Sequence, residues 1–151
     1  GFRTKVNVVS DPQIAVLMFI AHRATERRVL ARIAEEGADD ITPAQSRVLQ
    51  RLAPEPMRLT DLAEPAGGTK QTAGGIVDQL EAAGYLTRVP DPSDRRARLV
   101  TLSERGVHLC EVAAREVEAQ QQEWREHLGD AQFAALEEAL RSLRDVTDPY
   151  R

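Results

Sequence analysis

Two short runs carry the residue types that could do chemistry. Thr69-Lys70-Gln71-Thr72 opens an amphipathic stretch, and Asp94-Arg95-Arg96, with Arg98 beyond it, sits between two alternating segments. A threonine-capped helix start leaves backbone N–H groups facing outward, where a phosphate can bind. From that first turn Gln71 can pair with both edge groups of an adenine, and Lys70 can reach a guanine or a phosphate. The chemistry is recognition of a nucleic acid, without a covalent step. The plain alternative is that a capped Thr-Lys-Gln-Thr belongs to an ordinary surface helix, and what weighs against it is the basic run that follows.

Catalysis finds no comparable constellation. His22, His108 and His127 are far apart with no paired ligand, and Gly67-Gly68-Thr69-Lys70 lacks the remainder of a phosphate-binding loop. No metal or cofactor is expected, and no enzyme. Cys110 is the single cysteine, which excludes an intrachain disulfide and reads as a small buried hydrophobe rather than a peroxide sensor. No apolar run reaches the length of a membrane span: Ile14 to Ala21 is the longest and is followed by His22, Arg23 and Glu26. A cytoplasmic protein with no membrane partner is expected.

The elements that must position these runs follow from punctuation. Asp11-Pro12 starts a helix that runs to about Glu36, apolar on every face over "IAVLMFIA" and amphipathic only afterwards. A face-less apolar helix needs cover that a 151-residue monomer cannot supply, so this half is expected at a subunit interface. Thr42-Pro43-Ala44-Gln45 is a capping box for a second helix, which "APEPM" stops. Thr60 is expected to cap the short helix "DLAE", which Pro65 ends. Thr69 caps the next helix, which stops at Gly84. "YLTRVP" and "ARLVTL" form a two-stranded hairpin around the turn Asp91-Pro92-Ser93-Asp94, with Arg95 and Arg96 near its tip. Ser103 caps a long helix to Leu128, sparse in apolar residues, and Asp130 is expected to cap the last one.

Net charge is −4, yet the segment 42–101 is about +1 and the flanks about −5, a polarity that permits DNA contact. Short helix, turn, helix, hairpin is the order of a winged helix-turn-helix, in which the helix before the hairpin enters the major groove. The fold class expected is mainly α with a small β-hairpin wing.

On these residues the chain resembles the MarR family of transcriptional regulators. The resemblance rests on Leu59 to Gly106, above all the wing "DPSDRRARLVTLSERG", and on "TPAQSRVL" from Thr42. It implies one domain over 1–151, with dimerisation helices at 11–36 and 104–147 around a DNA-binding lobe at 42–102. It implies a homodimer on a pseudo-palindromic double-stranded operator, a repressor released by a small amphipathic or phenolic effector. Arg96 is similar to the family's minor-groove arginine, with Asp94 orienting its guanidinium; Arg95 is a phosphate contact, and Arg98 shares a strand face with Arg96. By topology, Phe19, His22, Arg23 and Met57 are candidate effector contacts.

The chain departs from the family at Gly74-Gly75, where relatives carry polar side chains. Glycine in a helix interior costs about 1 kcal/mol relative to alanine. Three readings stay open: backbone approach to DNA, tight packing against a neighbouring helix, or a weakened DNA reader. The last is the alternative function, a ligand-binding or protein-interaction dimer that kept the fold and lost specific DNA reading. Pro65 and Gly67-Gly68 also depart from the pattern.

Overall fold

The computed structural model describes residues 12–52, 55–63 and 69–149. Asp11, Pro54, Pro65 and Gly67-Gly68, invoked above as caps and breakers, lie outside them. Helix α1, Ile14–Glu35, begins two residues after Pro12, and Gln13 at its N-cap makes no side-chain capping bond. Helix α2, Pro43–Arg51, has the full capping box: the Gln45 amide donates to Thr42 Oγ1 at 3.1 Å and the Thr42 amide to Gln45 Oε1 at 3.0 Å. Helix α3, Leu59–Ala63, starts one residue before Thr60, which is therefore inside the helix and not its cap. Helix α4, Lys70–Ala82, starts at Thr69, whose Oγ1 accepts from the Thr72 amide at 3.1 Å.

Strands β1, Leu86–Asp91, and β2, Asp94–Leu102, pair antiparallel and carry the expected hairpin further towards its tip, while at the base β1 begins one residue after Tyr85. A third piece was not anticipated: Met57 exchanges two backbone hydrogen bonds with Val100, at 2.9 and 2.7 Å, adding a bridge to β2. Helix α5, Glu104–Leu128, is capped by Ser103. Helix α6, Asp130–Thr147, follows Gly129, which occupies the N-cap at φ +86°; Asp130 is the first helical residue and caps nothing, although its carboxylate still suits the positive end of the helix dipole.

One core joins these elements. Val48, Leu62, Val77, Leu80, Leu86 and Val100 are buried under α4 and the hairpin, and Ile33, Leu109 and Val112 continue the cluster between α1 and α5. The glycine of the "LSERG" run has a steric reason: a Cβ on Gly106 would stand 2.1 Å from the Tyr85 carbonyl oxygen. Only glycine lets the first turn of α5 sit on the end of α4. Outside this core many large apolar residues are uncovered. Ile14 is 71% exposed, Phe19 62% and Val146 82%, and only Phe133 of α6 is buried.

Candidate nucleic-acid interface

The four residues opening α4 are all exposed, but they do not stand alike. Thr69 and Thr72 bond each other, amide to hydroxyl and hydroxyl to hydroxyl at 3.0 Å, so their polar atoms are committed to the cap. Lys70 and Gln71 make no hydrogen bond or ion pair among the described residues, and both are available to a partner. The opposite face of α4 is anchored by Ala73, Val77 and Leu80 in the core. Its C-terminal half is tied sideways: Arg88 of β1 donates to Asp78 and to Glu81, each at 2.7 Å. Hydrogen bonding to Asp78 is the main reason the Arg88 guanidinium holds its proton more firmly than usual. Gln45 of α2 donates to Gln79 at 3.0 Å.

The wing tip is built by Asp91. Its Oδ1 accepts from the Ser93 amide at 2.9 Å and the Ser93 hydroxyl at 2.7 Å, and Arg58 reaches its Oδ2 at 3.1 Å. These bonds, led by the Ser93 hydroxyl, hold the buried carboxyl below the usual range. Pairing jumps from Pro90↔Arg98 to Asp91↔Asp94, so Arg95, Arg96 and Ala97 bulge from the ladder without a cross-strand partner. The register shift interrupts the regular pairing from Arg95 to Ala97, on which the expectation that Arg96 and Arg98 share one strand face rests. Asp94 also differs from expectation: its Oδ1 accepts from the Arg96 backbone amide at 3.0 Å, not from the guanidinium. It shapes the bulge and leaves the Arg96 side chain free. Arg95, Arg96 and Arg98 are exposed and unpaired among the described residues, whereas Arg58 and Arg88 are neutralised by carboxylates.

Among the described residues, packing requires neither glycine of α4. The nearest atom to a Cβ on Gly74 is Leu59 Cδ2 of α3 at 3.6 Å, ordinary contact, and Gly75 faces open space. Tight packing against α2 therefore does not explain the pair.

A pocket of about 480 Å³ opens between α1, α2 and α5. Val29, Ile33, Ile41, Leu49, Leu109 and Val117 form its apolar wall, and His22, Thr25, Glu26, Ser46 and Gln50 its polar part. Of the four candidate effector contacts, only His22 lines it. Phe19 is on the uncovered half of α1, Arg23 turns to Glu26, and Met57, held by its backbone to Val100, packs against the core outside the pocket lining. Topology alone put these residues near one another, but the helix phase of α1 and the strand character of Met57 decide otherwise. Pocket-lining residues that were not singled out, Glu26 above all, share a readable signal: Glu26, Val29 and Ile33 lie on one stripe of α1 with a carboxylate at its head.

A short capped helix packed through α2 and α3, presenting its N-terminus beside a basic hairpin, defines a winged helix-turn-helix protein. The MarR family model matches residues 39–97. A crystal structure of a transcriptional regulator from Thermotoga maritima is 31% identical, over 89% of this chain and 92% of that one, with a TM-score of 0.61. The chain belongs to the MarR family of transcriptional regulators. It is also 36% identical over 81 residues to the transcriptional activatory protein BadR of Rhodopseudomonas palustris, a match over 51% of this chain that spans about half the length of that relative, 46%. The transcriptional repressor CouR, solved bound to a 23-mer DNA duplex, is 25% identical over 94% of this chain and 99% of its own, with a TM-score of 0.69.

Proposed function

We propose that the chain is a homodimeric, sequence-specific regulator that binds a pseudo-palindromic double-stranded operator, represses from it, and releases it when a small amphipathic effector enters the α1–α2–α5 pocket. The observation that carries the DNA reading is the set of exposed, unpaired cations on the wing, Arg95, Arg96 and Arg98, beside a recognition helix whose first turn offers Lys70 and Gln71 uncommitted. Unpaired arginines lose no existing ion pair when they meet phosphates or a narrow minor groove. The uncovered apolar surface of α1 and α6 supports the dimer: Leu17 and Ile20 are 50% and 54% exposed, and Leu136, Leu140 and Leu143 repeat along α6. On this reading 11–36 and 104–147 are dimerisation helices and 42–102 is the lobe.

The test is an anisotropy titration of the protein on a duplex from upstream of its own gene and on a scrambled duplex, at about 50 and 200 mM salt. A specificity ratio of about 10³ or more that survives higher salt is expected. Arg96→Ala and Gln71→Ala should each weaken specific binding by about 1–3 kcal/mol, and Arg95→Ala should lower the salt slope by about 1. Equal binding to every duplex of a randomised pool, unaltered by Arg96→Ala, favours the dimer that has lost DNA reading. A reporter driven from the bound duplex separates repression, in which expression rises when the protein is deleted, from activation.

A further inference from the structure

The polar end of the pocket holds an unusual group. Glu26 is buried, its side chain 2% exposed, in the middle of α1. Its Oε1 accepts from Arg23 at 3.0 Å, but Oε2 has no hydrogen-bond partner among the described residues: Arg47 Nη2 of α2 stands at 3.6 Å and His22 Nε2 at 3.7 Å. A buried carboxylate oxygen left without a donor is costly, and a native structure that keeps one has a use for it. Here the oxygen belongs to a residue lining a pocket whose remaining wall is largely aliphatic.

From this arrangement we infer that the pocket selects an uncharged amphipathic molecule, an apolar body carrying a hydroxyl or amide N–H that donates to Glu26 Oε2, and rejects both carboxylates and ammonium groups. The inference rests on the effector reading above and adds the chemical class of the ligand. A ligand carboxylate would place a second anion against a buried one. An ammonium would enter between two guanidinium groups already within 3.0 and 3.6 Å of Glu26. A neutral donor meets neither penalty and supplies the missing bond. The volume of about 480 Å³ suits a body of two fused rings or an equivalent aliphatic chain. Oε2 is itself buried, so a bound donor reaches it by displacing Arg47, which breaks an ion pair between α1 and the DNA-binding lobe.

Three probes of one shape test this: 2-naphthalenemethanol, 2-naphthoate and 2-naphthylmethylammonium. Each is titrated calorimetrically into the full chain, and each is scored for protecting Cys110, which lines the same pocket, from N-ethylmaleimide. The alcohol should bind at least about tenfold more tightly than either ion, as expected for a hydrogen bond to a charged acceptor. Glu26→Gln should shrink that preference to about threefold or less. A naphthoate or ammonium that binds as well as the alcohol, or a ranking unchanged by Glu26→Gln, overturns the assignment of the head group while leaving the pocket an effector site. Failure of all three to bind or to protect Cys110 overturns the pocket reading itself. Should Glu26→Gln not fold, the wild-type ranking alone decides.

Discussion

Replacing Gly74 and Gly75 together by alanine separates what these glycines cost the protein from what they give it. Both lie within α4 without a positive φ, a Cβ at Gly75 meets nothing within 4 Å, and one at Gly74 makes an ordinary contact with Leu59. Each alanine should therefore recover the helix-interior penalty, about 0.5–1 kcal/mol, and the pair about 1–2 kcal/mol. For a chain of this length 1 kcal/mol moves the melting temperature by about 2–4 °C, so the double variant should melt about 2–8 °C higher by circular dichroism. The same positions follow Lys70 and Gln71 by four residues and so share their face of the helix. If that face meets DNA at backbone distance, operator affinity should fall while stability rises. Affinity that holds or improves would mean the glycines mark a weakened reader. A lower melting temperature would refute the packing argument on which both outcomes stand.

Other perturbations test other parts. Gly106→Ala drives a Cβ into the Tyr85 carbonyl and should cost about 1–3 kcal/mol or more in urea unfolding, with the α4–α5 junction the first region to exchange amide protons. Asp91→Asn tests the wing tip through pH. The native carboxyl titrates below its ordinary value near 3.8, so its contribution is complete above that value and is lost as pH falls through the depressed one. The stability difference between wild type and Asp91→Asn should be flat from about pH 5 to 7 and shrink below about pH 4. Leu17→Glu with Ile20→Glu places carboxylates on the uncovered face of α1 and should convert a dimer to a monomer in light scattering.

Local signals made most of the fold legible. Caps at Thr42, Thr69 and Ser103 mark helix starts because each satisfies orphan N–H groups within three residues, and such bonds are written in adjacent letters. What sequence could not show was non-local. The Met57–Val100 bridge joins residues 43 positions apart, and the segment around Met57 is too short to display a strand period. The bulge at Arg95 to Ala97 depends on Asp91 folding the turn through Ser93, which alternation alone does not reveal. In the interface, residue types were readable because exposure follows from polarity, but pairing was not: nothing in the letters says that Arg58 is neutralised by Asp91 and that Arg96 is free. The pocket was least legible, because its wall is shared by three helices whose relative phase only packing decides.

How the pocket would reach the DNA depends on which parts move together. Helix α4 is not loosely joined to α5 at its own end. Ser103 Oγ donates to the Gly84 carbonyl at 2.6 Å and accepts from the Gly106 amide at 3.0 Å; Arg105 donates to the Ala83 carbonyl at 2.7 Å and lies 4.4 Å over the Tyr85 ring. Together with the Gly106 contact, these bonds make α4 and the first turns of α5 one lever. The polar ties from α2 to α1 and to the end of α6 are longer: Arg47–Glu26 at 3.6 Å and Arg51–Asp148 at 3.5 Å, with the arginine side chains 51% and 40% exposed. Both pairs are long, and each joins a partly solvated arginine to a largely buried carboxylate. An effector would thus shift the angle of the lever against α1, and only a ligand that binds one angle better can do so. Ser103→Ala should loosen the lever by about 0.5–2 kcal/mol, the worth of the lost cap. On operators whose half-site spacing is changed by one base pair, the wild type should discriminate strongly and Ser103→Ala less, with no DNA contact removed. Equal discrimination by the two proteins would place the moving joint within the lobe instead.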